Sequence, residues 1–414
     1  RHAAYFAGLA ERARLELDGP DQLAWFDRLE REHPNLRAAL AWSQAHDLEL
    51  GLRLAVALTR FWSVRAHLDE GRRWLQNLLA RAGAAPSALK AQALVAASRL
   101  AHSQWSFREA LDLARLGLAE FLQLESTAGI CQARLAEGLA HTGLGEYAEA
   151  RAALEISREL YQSEADQAGL AEACNALSHV AQRQGDYAAA RALTTQALDL
   201  YRALGDPRNT AALSVNLGVA AFEQGDYAAA RQLTEASLVV FRQLRDTNGM
   251  ATALINLGNT ALDTGQLEAA HACFQEAIGL ERSLSNGTAA TPLGGLGRTL
   301  RQMGDLEGAR ACFAESLRLR LESGERRGVA VTLTNLAYVE QAARRPEVAA
   351  RLLGAAEALR EALGVPILPG RRREYDELVA AVRAALEAAA FQSAWAQGRA
   401  LTLEQAAALA LAEP

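Results

Sequence analysis

The chain has 414 residues, of which 50% are hydrophobic and 22% charged, with a formal net charge of −6. This mild acidity argues against a broad nucleic-acid-binding surface, because such surfaces are basic. Abundant alanine and only nine prolines favour helix throughout, and no apolar run is long enough to span a bilayer.

The first 47 residues do not follow the pattern of the rest of the chain. Residues 2–17 are predicted to form an amphipathic helix, and residues 21–32 and 34–45 two more, with Pro34 in a first-turn position that tolerates proline. We expect residues 1–47 to be a helical cap that covers an exposed core edge, or a linker from a missing upstream domain. Because the chain begins at Arg1, it is predicted to be a fragment or a processed product.

Residues 48–364 repeat with a period near 40 residues. Gly-Asp-Tyr occurs at 185–187 and 225–227, Gly-Glu-Tyr occurs at 145–147, and related turns fall at 265 and 304. Weaker turns at 66, 105 and 345 extend the count to eight helical hairpins. Gly225 can take the positive φ that ends one helix, and Asp226 can cap the next. The fixed period predicts an all-α fold, a right-handed superhelical solenoid of stacked hairpins.

Small residues recur where neighbouring helices must approach closely. Leu217-Gly218, Ala221, Ala230 and Ser237 keep offsets that recur in other copies and match the tetratricopeptide pattern. The run at 294–297, Gly-Gly-Leu-Gly, resembles a phosphate loop, but its last two residues fall on helix-contact positions, so close packing explains it. The unit exceeds the usual length of about 34 residues, so its helices are predicted to be longer.

The last segment leaves the repeat register. Residues 365–370 are predicted to be a linker, and residues 371–390, 391–398 and 403–411 to be helices. Thr402 is a suitable N-cap for the last helix. Residues 365–414 are therefore predicted to form a C-terminal helical cap.

A narrower resemblance lies at the two ends of the array. Trp-Phe-Asp-Arg-Leu-Glu-x-Glu-His-x-Asn-Leu-Arg-Ala-Ala-Leu at 25–40 and Gly-Arg-Arg-Trp-Leu at 71–75 resemble the segment that opens the repeat region of bacterial signal-transduction ATPases. The segments at 351–357 and 398–406 resemble its close. The resemblance implies a tetratricopeptide sensor region like that of maltose-regulon-activator-like and LuxR-type regulators, with an ATPase domain upstream. No Gly-x-x-x-x-Gly-Lys-Ser/Thr motif is present, so only the sensor role carries over.

In tetratricopeptide arrays the first helix of each hairpin lines a concave face. Transferring its inward positions onto this chain predicts a ligand- or peptide-binding face made of Arg60, Arg99, His102, His179, Arg183, Asn216, Phe222, Asn256, Asn259, Arg298, Arg301 and Tyr338. Guanidinium groups suit carboxylate or phosphate, and asparagine amides suit a peptide backbone. The alternative is that the asparagines pack between helices and the arginines are solvated or paired with acids such as Glu223 and Asp263.

Catalytic and metal-binding motifs are missing from the sequence. It contains no His-Glu-x-x-His, Gly-x-Ser-x-Gly or Cys-x-x-Cys, and no two histidines have ligand spacing on one helix face. The cysteines are predicted to be small buried hydrophobic residues in a reducing cytoplasm; they are Cys131, Cys174, Cys273 and Cys312.

The sequence thus predicts a cytoplasmic, non-catalytic sensor without cofactor or metal. Its expected partner is a protein or peptide, or a small-molecule inducer, with no direct contact to nucleic acid or membrane. A stand-alone protein–protein scaffold without a small-molecule ligand is the alternative.

Overall fold

A computed structural model describes residues 1–83, 85–284, 289–367 and 369–412, and the regular secondary structure in these residues is helical. The helices are α1 (His2–Glu16), α2 (Gln22–His46), α3 (Leu48–Val64), α4 (Leu68–Leu79), α5 (Ala88–Ser103), α6 (Phe107–Gln123), α7 (Thr127–Leu144), α8 (Tyr147–Ser163), α9 (Gln167–Arg183), α10 (Tyr187–Leu204), α11 (Pro207–Glu223), α12 (Tyr227–Leu244), α13 (Thr247–Asp263), α14 (Leu267–Ser283), α15 (Ala290–Met303), α16 (Leu306–Glu322), α17 (Arg326–Ala342), α18 (Pro346–Leu363), α19 (Pro369–Ala384), α20 (Ala388–Arg399) and α21 (Leu403–Leu411). Within the described ranges, no helix has the length and apolar character needed to cross a membrane.

Helices α3 to α18 form the eight predicted hairpins, so the all-α fold of tetratricopeptide-like units is confirmed. The predicted turns at 145, 185, 225, 265 and 304 each hold a glycine with φ between 75° and 90°. The three weaker turns adopt the same left-handed conformation without glycine, at Ala66, Trp105 and Arg344. Asp226 caps α12 as predicted, because its Oδ1 accepts a hydrogen bond from the Ala229 amide at 3.0 Å.

One N-terminal prediction is wrong: residues 22–46 form a single helix, α2, with Pro34 in its interior. Phe26, Leu29, Leu36 and Leu40 are fully buried along one stripe that continues across the proline. Burying each such side chain contributes about 1.5–3 kcal/mol. Together they outweigh the cost of about 3 kcal/mol for proline inside a helix.

The C-terminal helices also differ from the prediction. The predicted 371–390 helix is shorter: α19 ends at Ala384, and α20 begins at Ala388. The chain turns between them, and α20 packs its backbone directly on α18. A Cβ on Gly398 would lie 2.1 Å from the Arg351 carbonyl oxygen, and one on Gly354 would lie 2.4 Å from that of Trp395. Of the predicted linker, Leu368 lies outside the described residues.

The predicted cap at Thr402 is confirmed. Its hydroxyl accepts a hydrogen bond from the Gln405 amide at 3.2 Å, and the Gln405 side chain accepts one from the Thr402 amide at 2.9 Å. This reciprocal pair is a capping box, which satisfies two otherwise unpaired backbone donors at the start of α21.

The helices group into two compact units. Unit 1 comprises Arg1–Ala220 and Gln232–Met250, and unit 2 comprises Ala221–Arg231 and Ala251–Pro414. Phe61 and Trp62 are among the fully buried side chains of unit 1, and Phe274 and Phe313 are among those of unit 2. The sequence-based division into residues 1–47, 48–364 and 365–414 stays a prediction.

The glycine-rich run at 294–297 is a packing feature inside α15, as predicted. A Cβ on Gly295 would lie 2.3 Å from the Phe274 ring, and one on Gly297 would lie 2.7 Å from the Phe313 ring. These glycines therefore allow two buried aromatic rings to touch the backbone of α15.

The cysteines divide into two classes by burial. Cys131 and Cys174 are buried as predicted, whereas Cys273 and Cys312 are only partly buried. Burial raises the pKa of the Cys131, Cys174 and Cys312 thiols. These three thiols are consequently protonated at neutral pH.

Candidate binding site

The predicted face residues all lie on the first helices of the hairpins and are divided between the two units. Unit 1 contains Arg60 on α3, Arg99 and His102 on α5, His179 and Arg183 on α9, and Asn216 on α11. Unit 2 contains Phe222 on α11, Asn256 and Asn259 on α13, Arg298 and Arg301 on α15, and Tyr338 on α17. Their role in ligand binding stays a prediction.

In unit 1, Arg60 is held by acidic side chains from distant parts of the chain. Its Nη1 lies 2.7 Å from Asp18 Oδ1, and its Nη2 lies 3.3 Å from Asp206 Oδ2, which is 146 positions away. Asp206 is 1% exposed. It also accepts hydrogen bonds from the side chains of Gln22 and Asn209, at 3.0 and 2.7 Å. The guanidinium of Arg60 is thus occupied by contacts within unit 1.

Arg99 forms a two-pronged ion pair with Glu172 of α9. The nitrogen–oxygen distances are 3.1 and 2.5 Å, a geometry that suits the guanidinium fork. The charge of Glu172 raises the pKa of Arg99 further. Burial raises the pKa of Asp18, on which the charges of Arg60, Asp206, Glu172 and Arg99 also act. We call Asp18, Arg60, Arg99, Glu172 and Asp206 the unit 1 ion cluster.

Two histidines on the first helices of unit 1 are kept neutral by their surroundings. Burial, together with the charge of Arg99, lowers the pKa of His102. Burial and the charge of Arg183 lower that of His179. Neither side chain can supply a stable positive charge to an anionic ligand at neutral pH.

In unit 2, the charged residues of α15 contact the first turns of α19. Asp263, at the end of α13, accepts from Arg298 Nη2 at 3.2 Å and from Arg371 Nη2 at 3.0 Å. Arg301 Nη2 donates to Glu374 Oε1 at 2.8 Å. Burial and the charge of Arg371 lower the pKa of Arg298 to about 10.

Aromatic and amide groups complete this contact. The Arg301 guanidinium lies 4.5 Å from the ring centroid of Tyr338, and the Gln341 side chain donates to the Ala381 carbonyl of α19 at 3.3 Å. Among the residues predicted to face a ligand, Arg301 is therefore bonded to a helix of the same chain, and Arg298 and Tyr338 lie beside this contact through Asp263 and Arg301.

The remaining predicted residues make fewer contacts with charged groups of the chain. Asn216, Asn256 and Asn259 are half-buried, and Arg183 is exposed. Phe222 packs against Tyr227 across the α11–α12 turn, with ring centroids 5.5 Å apart. Four of the predicted arginines pair with acids, as the alternative proposed: Arg60, Arg99, Arg298 and Arg301, with Asp263 as the partner of Arg298.

A histidine–glutamate cluster in unit 1 escapes sequence reasoning. His33 of α2 and His67 of the α3–α4 turn are 34 positions apart in the sequence, yet their ring centroids lie 4.3 Å apart. Glu30 lies beside them, and ligand-type atoms of these three residues are all within 4.8 Å of one another. One feature of the sequence could have indicated the cluster: a glutamate and a histidine stand three positions apart twice, as Glu30 and His33 and as His67 and Glu70.

These features define a tetratricopeptide-type helical repeat protein whose first helices carry intramolecular ion pairs. A family model described as tetratricopeptide repeat matches residues 209–282 and 288–362, and a second model of the same description matches residues 171–204. The chain therefore contains tetratricopeptide repeats.

Among curated proteins, the matches include putative HTH-type transcriptional regulators from Mycobacterium bovis and Mycobacterium tuberculosis. They are 39% identical over 80 residues, which is 19% of this chain and 9% of each relative. Because the match spans so little of the relatives, their activities do not transfer to this chain.

Two proteins with similar solved structures are described as a sensor or as containing one. The apo quorum sensor NprR from B. thuringiensis has a TM-score of 0.54 at 16% identity, over 85% of this chain and 97% of that one. NprR in complex with its cognate peptide NprX has a TM-score of 0.51 at 16% identity, over 67% and 80%.

The second is a signal transduction ATPase with numerous domains and a tetratricopeptide repeat sensor, from Pyrococcus horikoshii. It has a TM-score of 0.52 at 15% identity, over 78% of this chain and 50% of that one. At these identities the likeness concerns the fold. The narrower resemblance to maltose-regulon-activator-like and LuxR-type regulators stays a prediction.

Proposed function

We propose that this chain is the sensor scaffold of a multidomain bacterial regulator and that it binds a protein or peptide helix on the first helices of unit 2. The observation that carries the proposal is the engagement of Asp263 and Arg301 by Arg371 and Glu374 of α19. A surface that binds a helix of its own chain has the chemistry to bind a similar helix from a partner.

The charges specify the partner. Arg371 and Glu374 are three positions apart, so they share one face of α19 and meet Asp263 and Arg301 together. A partner helix with a basic residue followed three positions later by an acidic residue would make the same two contacts. Tyr338 adds an aromatic surface beside Arg301.

The contacts of the first turns of α19 are weak enough for a partner helix to replace them. The Arg371 and Glu374 side chains are each 35% exposed, and such partly solvated pairs contribute at most about 1 kcal/mol each. Further along α19, Leu378 and Val382 are buried and anchor the helix. A competitor would therefore displace the first turns while the rest of α19 stays in place.

The unit 1 ion cluster is less suited to exchange. Asp206 is buried and already accepts from Gln22, Arg60 and Asn209. Removing one partner from a buried ion pair costs about 3–5 kcal/mol. We therefore assign Arg60 a structural role and place partner binding in unit 2.

A peptide of residues 369–384, labelled with a fluorophore, tests this assignment by anisotropy. The double variant Arg371→Ala/Glu374→Ala frees the surface, so it should bind the peptide more tightly than the wild-type chain. Adding Arg301→Ala to this double variant should return its affinity for the peptide to that of the wild-type chain.

The matched control is Arg373→Ala/Glu377→Ala, which removes a pair on the solvent side of α19 with side chains 92% and 70% exposed. This control should bind like the wild type. Equal binding by the two double variants, or no binding by either, would contradict the proposal.

The regulatory context has its own test. The resemblance to signal-transduction ATPases, and the tetratricopeptide sensor of the Pyrococcus protein, support an ATPase domain upstream of this sensor. The full reading frame should encode a phosphate-binding loop before Arg1. A frame without one would contradict this part of the proposal.

A further inference from the structure

The histidine–glutamate cluster of unit 1 joins α2 to the first hairpin. Glu30 and His33 lie one helical turn apart on α2, and His67 lies in the turn between α3 and α4. His67 Nε2 is 3.2 Å from Glu30 Oε1, and His33 Nε2 is 3.3 Å from Glu70 Oε1. Four potential ligand groups thus converge from two separate elements.

The 3.2 Å between His67 Nε2 and Glu30 Oε1 matches the ligand spacing of a tetrahedral metal site, and the ligand-type atoms of Glu30, His33 and His67 all lie within 4.8 Å of one another. With metal–ligand bonds of about 2.0–2.1 Å, neighbouring ligand atoms are about 3.3 Å apart. Two imidazoles and a carboxylate are a donor set that Zn²⁺ and related late transition metals prefer. Glu70 is also held by the Arg37 guanidinium, so it is better suited to support His33 than to act as a full ligand.

His33 is the buried member of the cluster. Its side chain is 7% exposed, and its Nε2 has the Glu70 carboxylate as a neighbour at 3.3 Å, in a geometry that falls short of a hydrogen bond. A metal ion between His33, His67 and Glu30 would give His33 a direct ligand bond, with Glu70 beside it.

The cluster is also accessible to an ion. The side chains of His67 and Glu30 are 24% and 39% exposed, so the site opens to solvent on one side. Three protein ligands would leave a fourth position for water or for a group from a partner.

We propose that Glu30, His33 and His67 bind one divalent late transition-metal ion, with Zn²⁺ as the best fit, and that the ion fastens α2 to the α3–α4 hairpin. The ion would stabilise the N-terminal part of unit 1, because a ligand that binds only the folded state adds its binding free energy to stability. This inference is independent of the helix-binding proposal for unit 2.

The test uses the untagged chain, stripped with a chelator and titrated with Zn²⁺ against a chromophoric indicator. The wild type should bind one equivalent tightly. His67→Ala and Glu30→Gln should each weaken binding by at least about tenfold. Both side chains are partly exposed, so these variants should fold, which far-UV circular dichroism checks.

The matched control is His46→Ala, which removes an exposed histidine of the same helix whose Nδ1 contacts the Trp42 carbonyl. Its Zn²⁺ affinity should equal that of the wild type. Co²⁺ should give intense visible absorption typical of tetrahedral coordination in the wild type and in His46→Ala, and not in His67→Ala. Equal Zn²⁺ binding by wild type and His67→Ala would overturn the proposal. So would absence of Zn²⁺ binding, which would leave only hydrogen bonding in the cluster.

Discussion

Replacing Gly295 with alanine should destabilise unit 2, whereas the same change at its neighbour Gly294 should stabilise it. A Cβ on Gly295 would lie 2.3 and 2.4 Å from two atoms of the Phe274 ring. Ordinary carbon–carbon contacts are about 3.5–4.0 Å, so the ring would have to move by more than about 1 Å. Phe274 is fully buried and also lies against Gly258, so it has little room to do so.

The two substitutions should change the free energy of unfolding in opposite directions. Overpacking of a core costs about 1–3 kcal/mol, and glycine to alanine in a helix recovers about 0.5–1 kcal/mol. Gly295→Ala should therefore lower the free energy of unfolding by about 1–2 kcal/mol. A Cβ on Gly294 would meet only Ser316 Oγ at 3.9 Å, so Gly294→Ala should raise that free energy by about 0.5–1 kcal/mol.

Urea unfolding followed by circular dichroism at the helix band measures both variants, and hydrogen exchange in α14 and α15 localises the effect. The same change in midpoint for both variants would refute the packing argument. A gain in stability for Gly295→Ala would refute it more directly. A loss of phosphate affinity in Gly294→Ala would instead indicate that the glycine run binds phosphate.

Three further results are expected. Burial lowers the pKa of His102 and His179, so the unfolded chain binds more protons and stability should fall as the pH drops below about 6.5. Burial lowers the pKa of His67 too, so in a His102→Gln/His179→Gln variant the urea midpoints at neutral and mildly acidic pH should differ by less than in the wild type without becoming equal. Asp246 is fully buried and lies 2.7 Å from Arg208, so Asp246→Ala should cost about 3 kcal/mol by urea titration, and a loss below about 1 kcal/mol would mean that the pair is solvated. Pro34→Ala should stabilise α2 by up to about 3 kcal/mol, and a lower melting temperature would show that the helix depends on the proline.

The sequence alone was sufficient for the repeat architecture because the determinants are local. A glycine with positive φ followed by a capping residue ends one helix and starts the next within three residues, as at Gly225 and Asp226. The spacing of small residues likewise predicts where helices touch, as Gly297 shows by its contact with the Phe313 ring. Hairpin number, turn positions and most helix boundaries follow from these signals.

The tertiary structure decided what depends on contacts between distant residues. Proline signals predicted a break in α2, but burial along the whole helix overrides the local cost at Pro34. Inward positions predicted Arg60 and Arg301, yet their partners, Asp206 and Glu374, are 146 and 73 positions away, and no local pattern identifies them. His33 and His67 meet for the same reason: the packing of α2 against the first hairpin brings them together, and that packing is a property of the folded core.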